Sequence, residues 1–490
     1  MDRFGGNTRG AGLAVICVAQ FVVVLDVTIV TTALPAVGSS LDLDQAGMSW
    51  VVTGYTLVLG ALLVPAGRVA DLLGARRAFC LGLAVFGASS GACAAAWSPA
   101  VLVAARAVQG LGAALLAPAA LALLSASTEP GPARRRAVGW WTAAAAGGGA
   151  SGWVLGGVLT EYLGWRAVFW VNVPIAVAVL AVTTRVLPVG ERRPGVRLDW
   201  RGALLVTAAL GLLVHGLTES GEHGVTSPTA WVPLLLAAGA AAAVGWHLRQ
   251  VPEPVLPPWL AGVAPFRGAA LAGLLLTAST TPAMYLSALY VQQVLRFPPL
   301  AASLLFPAFN LAVIAGSFAG PAALRRFGAQ FSLAAGFTAV AVGAAALVTV
   351  PGVGSPVAVL LGAFAVTGAG LGVASVAATN TGTESVAAEH QGVAAGVLNS
   401  AAQVGTALGL AVVAPLVTAT DPGTFRTGFL CAAAVALAGL GVRSRRSARP
   451  RGTARPGGRR RRPGCPPGEA RSGSPAAAPS SPPRGRAAHR

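Results

Sequence analysis

The chain has 490 residues, 54% of them hydrophobic and only 10% charged. Its apolar stretches recur at membrane-crossing length, which excludes an ordinary soluble core. The formal net charge of +19 does not point to nucleic acid, because residues 443–490 alone hold fourteen arginines against one acid, Glu469, and the rest of the chain is only mildly basic.

Runs of about 20 residues without charge predict about fourteen spans. They lie near 11–37, 48–66, 78–96, 100–124, 137–160, 166–185, 202–218, 230–247, 268–291, 300–322, 330–350, 355–377, 392–417 and 424–442. The first is too long and lacks the cleavage site of a removed signal, so it is expected to stay as an anchor. No lysine occurs, so orientation rests on arginine. With the N-terminus inside, Arg76, Arg77, Arg134, Arg135, Arg136, Arg185, Arg192, Arg193, Arg197, Arg201, Arg249, Arg325 and Arg326 share the inner side. Both termini are then cytoplasmic. The tail, rich in Pro, Gly, Ser and Arg, is expected to be disordered and to rest near anionic lipid headgroups.

Along the chain, the first polar anomaly is Asp26, past the middle of the first span. It shares a helix face with Val22, Val23, Ile29, Val30 and Ala33, none of them polar. A carboxylate there is expensive and functional by default, and must be protonated or face water or a cation. Tyr55 follows in the second span. The connection Gly67-Arg-Val-Ala-Asp71-Leu-Leu-Gly74-Ala-Arg76-Arg77 combines glycines suited to a tight turn with charge suited to a switchable pairing. In the fourth span Arg106, Gln109 and Gly110 share a face. Counting 1.5 Å per residue from the outer ends places Asp26 about 16 Å and Arg106 about 9 Å deep, within reach directly or through water.

The fifth span carries Gly147-Gly148-Gly149-Ala-Ser-Gly152-Trp153-Val-Leu-Gly156-Gly157, small residues that let helices approach closely. Gly164-Trp-Arg-Ala-Val-Phe-Trp-Val-Asn-Val-Pro174 opens the sixth. Two places repeat later: Arg106 to Gly112 is echoed by Phe364 to Gly370, and Val69 to Gly74 by Ala323 to Gly328, the mark of a duplicated bundle with its site between the halves. Spans near 202–247 have no counterpart. The expected organisation is a short N-terminus at 1–10, a six-helix bundle at 11–185, a linker with two extra membrane helices at 186–267, a second bundle at 268–442, and the tail at 443–490. His215, alone in an unmatched span, reads as a packed histidine, and Glu384, Glu389 and His390 as a solvated loop rather than a metal site. Five cysteines, Cys17, Cys80, Cys93, Cys431 and Cys465, stand singly without metal or disulfide spacing.

Leu25-Asp-Val-Thr-Ile-Val-Thr-Thr-Ala-Leu-Pro35, the Gly67–Arg77 connection, Arg106–Gly112, the fifth-span glycines and Gly164–Pro174 together resemble the major facilitator superfamily, in its fourteen-helix drug:proton antiporter branch. The resemblance covers about residues 11–442. It implies an all-α integral membrane protein of two six-helix bundles plus two inserted helices, no enzyme activity, and no cofactor beyond the proton gradient. It implies proton and substrate coupling at Asp26, Arg106 and Gln109, gating by Gly67, Asp71, Gly74, Arg76 and Arg77, and helix packing through Gly148, Gly152, Gly156 and Gly157. Tyr55, Thr277, Thr281, Tyr285, Asn310, Asn399 and Gln403 would line a cavity for a small amphipathic substrate. Two positions depart from the family pattern: Leu72 replaces a basic residue and Trp153 a proline. The expected function is efflux of amphipathic drugs or secondary metabolites by proton antiport across a bacterial cell membrane. Two alternatives stand beside it, a proton-coupled importer on the same fold and a transport-inactive sensor or assembly protein.

Overall fold

In a bilayer the backbone must satisfy its own N–H and C=O groups, so apolar runs of this length fold as helices. The computed structural model describes residues 6–442 except 130–131, 188–198, 225, 253, 255, 351–355, 388–389 and 418–421. The tail at 443–490, Arg192, Arg193 and Arg197, and Glu389 therefore lie outside the described residues.

The first half contains α1 (Gly6–Leu41), α2 (Gln45–Leu73), α3 (Ala75–Ala94), α4 (Pro99–Ser127), α5 (Pro132–Leu163), α6 (Ala167–Trp170) and α7 (Asn172–Val186). The unmatched pair is α8 (Trp200–His223) and α9 (Pro228–Gln250), followed by the short α10 (Pro258–Gly262). The second half contains α11 (Ala264–Leu289), which runs into a π-helical turn at Tyr290–Val294, then α12 (Pro299–Ser303), α13 (Pro307–Phe327), α14 (Ala329–Thr349), α15 (Pro356–Glu384), α16 (Gln391–Val413) and α17 (Pro422–Gly439). Each of the fourteen expected runs is helical over most of its described residues. Twelve spans among the described residues are long and apolar enough to cross a membrane. The other two are α5, whose glycines and tryptophans lower its hydropathy, and α17, whose apolar stretch Gly423–Gly439 is short.

Local chemistry sets the corners. Asp44 accepts from the Gly47 amide at 2.7 Å at the start of α2, and Asp199 accepts from the Gly202 amide at 2.8 Å at the start of α8. One residue, Gly74 (φ 85°), separates α2 from α3, and its counterpart Gly328 (φ 82°) separates α13 from α14. These left-handed values favour glycine in both repeats. The echo of Arg106–Gly112 in Phe364–Gly370 is also structural. A Cβ on Gly112 would stand 2.6 Å from the Phe86 amide nitrogen, and one on Gly370 would stand 2.6 Å from the Gly336 carbonyl. α4 thus packs on α3 as α15 packs on α14.

Call the end at which α1 passes into α2 the first end. There a single core crosses between the halves, joining Ile29, Val37 and Val51 to Met284, Leu289, Phe306 and Phe425. Polar contacts reinforce it: Gln45 Nε2 donates to Gln293 Oε1 at 3.2 Å, the Tyr285 hydroxyl to the Gln45 carbonyl at 3.1 Å, Gln292 Nε2 to the Thr32 carbonyl at 3.0 Å, and the Leu300 amide to Glu161 at 2.9 Å. Toward the opposite end the cores belong to one half each, one around Phe79, Leu116 and Leu124, another around Leu333, Phe337 and Ala377. α8 lies against both halves through Leu57, Val214, Ala407 and Ala411, while α9 leans mainly on α8, held by His247 Nε2 at 2.7 Å from Asp199 Oδ1. His215 is not packed away: its side chain is 48% exposed beside Glu219, with its ring 6.2 Å from that of Trp50.

Candidate functional site

The hydroxyls that follow Asp26 on α1 bond their own helix, Thr28 to the Leu25 carbonyl at 3.0 Å and Thr31 to the Val27 carbonyl at 2.8 Å. Asp26 has no such outlet and must find partners on other helices. The glycines of α5 make room for them. Gly148, Gly152 and Gly156 recur every fourth residue and rest on the α1 backbone at Phe21, Leu25 and Ile29, where Cβ atoms at Gly152 and Gly156 would stand 2.9 Å from the Leu25 and Ile29 carbonyls. Close approach there leaves the acid's own face to α2, α3, α4 and α7.

The result is a buried cluster. Arg106 Nη1 lies 2.5 Å from Asp26 Oδ2, with the two side chains 1% and 0% exposed. Gln109 Nε2 and Asn172 Nδ2 both donate to Asp26 Oδ1 at 2.8 Å. Arg106 also donates from Nε to the Val51 carbonyl at 2.9 Å and from Nη1 to Gln109 Oε1 at 2.8 Å, with its guanidinium 4.4 Å from the centre of the Tyr55 ring. Asn172 further donates to Ser90 Oγ at 3.2 Å, and the Ser90 hydroxyl donates to the Phe169 carbonyl at 2.9 Å. A buried pair is tolerable only when additional hydrogen bonds support both ions; here Asp26 gains Gln109 and Asn172, and Arg106 gains Val51 and Gln109. Two buried polar atoms of the cluster have no partner, the Tyr55 hydroxyl and Asn172 Oδ1. Chemically, the cluster is a charge pair that a proton on Asp26 would break, with Arg106 keeping its carbonyl and amide partners.

The expected coupling residues Asp26, Arg106 and Gln109 therefore meet directly, with no water needed between them. Asn172 and Ser90 belong to the same cluster and were not singled out from the sequence. Asn172 was legible only as an amide inside the Gly164–Pro174 stretch, and Ser90 carried no signal. The Gly67–Arg77 connection forms the α2–α3 corner: Gly74 is the corner itself, Arg76 Nη1 donates to the Leu187 carbonyl at 2.9 Å, Asp71 is half-buried and Arg77 exposed. Gly67 faces Pro118 of α4, where a Cβ would stand at 3.8 Å.

Residues expected along a cavity fall in several places. Tyr55 lies under Arg106. Thr277 donates to the Ala402 carbonyl at 2.5 Å and Thr281 is 3.2 Å from the Thr406 hydroxyl, both joining α11 to α16. Tyr285 reaches Gln45 across the halves, Gln403 is half-buried beside Gly60, and Asn399 is exposed. Asn310 packs against Gly149, with its buried Nδ2 unpartnered. One turn further along both helices, Trp153 stacks on Phe306 with ring centres 4.0 Å apart and planes 9° apart. Gly157 fits against Ser303 and Leu300. Where a proline would kink α5, the helix runs on unbroken and uses the indole to contact the other half.

Two pseudo-repeated helical halves, the first holding a buried acid and base, have the architecture of a membrane transporter. The family model described as Major Facilitator Superfamily matches residues 16–410. The cephamycin export protein CmcT of Amycolatopsis lactamdurans is 40% identical over 85% of this chain and 86% of its own. The puromycin resistance protein pur8 of Streptomyces alboniger is 39% identical over 82% of this chain and 81% of its own. Among solved structures, the peptide transporter POT in complex with sulfate aligns with TM-score 0.63 at 16% identity, covering 88% of this chain and 93% of that one. The chain belongs to the Major Facilitator Superfamily. It is a multi-pass membrane protein of a transporter family, not an enzyme, and its relatives include proteins named for antibiotic export and resistance.

Proposed function

We propose that this protein is a secondary exporter that exchanges incoming protons for an amphipathic drug or secondary metabolite, in a bacterial cell membrane with both termini in the cytoplasm. The observation that carries the reading is the fully buried Asp26–Arg106 pair on two helices of the first half. A carboxylate that holds a guanidinium when ionised and releases it when protonated ties the arrangement of α1, α2, α4 and α7 to proton occupancy. The first end is then the outer side, and the continuous core and cross-half bonds there describe an outward-closed arrangement. The Gly67–Arg77 corner would gate the inner side, and the Arg-rich tail would rest on anionic headgroups. The names of the export and resistance relatives support an antibiotic-like substrate.

The test is drug accumulation in cells lacking other efflux systems, for wild type, Asp26→Asn and a chain truncated after residue 442, with and without a protonophore. Wild type and the truncated chain lower accumulation, and the protonophore or Asp26→Asn abolishes the effect. Substrate that accumulates on energisation would establish the importer instead. Activity lost only with the tail would establish the docking protein.

A further inference from the structure

The acid–base pair accounts for Asp26 as a carboxylate, but proton exchange, the proposed function on which the role of Asn172 rests, also needs a neutral Asp26. A carboxylate only accepts hydrogen bonds, whereas a carboxylic acid must donate one. Every neighbour now bonded to Asp26 is a donor: Arg106 Nη1, Gln109 Nε2 and Asn172 Nδ2. The Gln109 oxygen is already taken by Arg106 at 2.8 Å. The other groups that titrate or carry charge around Asp26 are Tyr55 on α2 and Cys93 on α3. Of the remaining helices packed there, α5 offers the small residues Gly148 and Gly152, and α7 offers Asn172. Among the described residues, the one buried oxygen of the cluster that can only accept and has no partner is Asn172 Oδ1, on a side chain that is 0% exposed.

We propose that Asn172 is the positioning residue that lets Asp26 exist in both protonation states, its amide turning over to accept the proton of the neutral acid. With Asp26 ionised, Nδ2 donates to Oδ1 of the carboxylate, as seen. When a proton binds that oxygen, the amide rotates half a turn and its own oxygen receives the new O–H. No covalent bond to Asn172 forms, and the proton stays on Asp26. The Ser90 hydroxyl can turn from the Phe169 carbonyl to the same amide oxygen, while Arg106 keeps Val51 and Gln109. One amide atom is unpartnered in either orientation, Oδ1 before and Nδ2 after, and the Phe169 carbonyl gives up the Ser90 hydroxyl in the turn. An unmade bond at so buried a position is costly, so a side chain that can only donate or only accept would bias Asp26 to one state.

The test is infrared difference spectroscopy of the purified, lipid-reconstituted full chain, titrated from neutral to acid pH, with proton-driven drug uptake measured on the same samples. The carboxylic C=O band missing from Asp26→Asn is that of Asp26. In Asn172→Leu the band moves to higher wavenumber, as for an acid lacking an acceptor, the midpoint of its pH titration shifts, and exchange falls at least tenfold. Asn172→Thr, which can donate and accept by rotating its hydroxyl, restores band position and much of the exchange. If Asn172→Leu does not fold, Asn172→Thr against Asn172→Val gives the same comparison at equal volume. An Asp26 band unmoved in the folded apolar variant overturns the role of Asn172 while leaving the titration of Asp26 intact. The absence of any titrating Asp26 band overturns both the role of Asn172 and the proton-exchange reading.

Discussion

Replacing Arg106 by leucine leaves Asp26 buried, with Gln109 and Asn172 as its remaining donors at 2.8 Å and no counter-ion. Removing one partner of a buried ion pair costs about 3–5 kcal/mol, whereas replacing both charges by neutral groups is often close to neutral. Arg106 also gives up its charge-assisted bond to the Val51 carbonyl and its stack on Tyr55, but the stranded charge of Asp26 dominates. Arg106→Leu should therefore be destabilised by roughly 4 kcal/mol, with the charge of Asp26 the larger part. Asp26→Asn/Arg106→Leu should recover most of it, because no buried charge is left. The assay is thermal unfolding in detergent, where about 4 kcal/mol corresponds to a fall on the order of 10 °C if the roughly 2–4 °C per kcal/mol of mid-sized domains applies. The double-mutant cycle removes what the single variants share. Additive losses, with the double variant less stable than either single one, would refute the claim that the pair is ionised in this state.

Other outcomes follow from the packing. Gly148→Ala pushes a methyl group into the Phe21 carbonyl and should lower stability by about 1–3 kcal/mol, whereas Gly139→Ala on the same helix meets open space and should be neutral or slightly stabilising in the same melts. Valine at Gly74 or at Gly328 forces a branched side chain into a left-handed φ of 85° or 82° and should cost about 1–3 kcal/mol at each corner, with similar losses if the two corners are equivalent. Trp153→Ala removes the stack on Phe306 that links the halves, worth about 0.5–1.5 kcal/mol beyond its buried area, and should speed amide exchange over 300–306; unchanged exchange there would mean that the stack does not hold the closed end.

Much of this arrangement was legible because a bilayer punishes polarity. Asp26 and Arg106 stood out as charges in apolar runs, and their depths along the helices put them within reach of each other. Gly74 and Gly328 announced themselves through the echo between the halves, since a one-residue corner at positive φ leaves little choice of residue. Asn172 was hidden because a single amide in a membrane helix has a bland use in helix packing, and only its register against α1 brings it to Asp26. Tyr285 and Thr277 were placed along a cavity by the family resemblance and their polar character. Which neighbour a hydroxyl meets depends on helix rotation, and they meet Gln45 and the Ala402 carbonyl. Among the described residues the clear spans number twelve: the glycines that let α5 lie against α1 also make it a weak membrane segment by hydropathy, and α17 is short.

The central claim is that Asp26 exchanges a proton for substrate. Purified protein reconstituted in vesicles with a trapped pH-sensitive dye reports it directly, when a transported drug is added on one side without an imposed proton gradient. Wild type should move protons against the drug flux and Asp26→Asn should move none, even where it still carries drug down its own gradient. Drug-driven proton movement of wild-type size in Asp26→Asn would contradict the account.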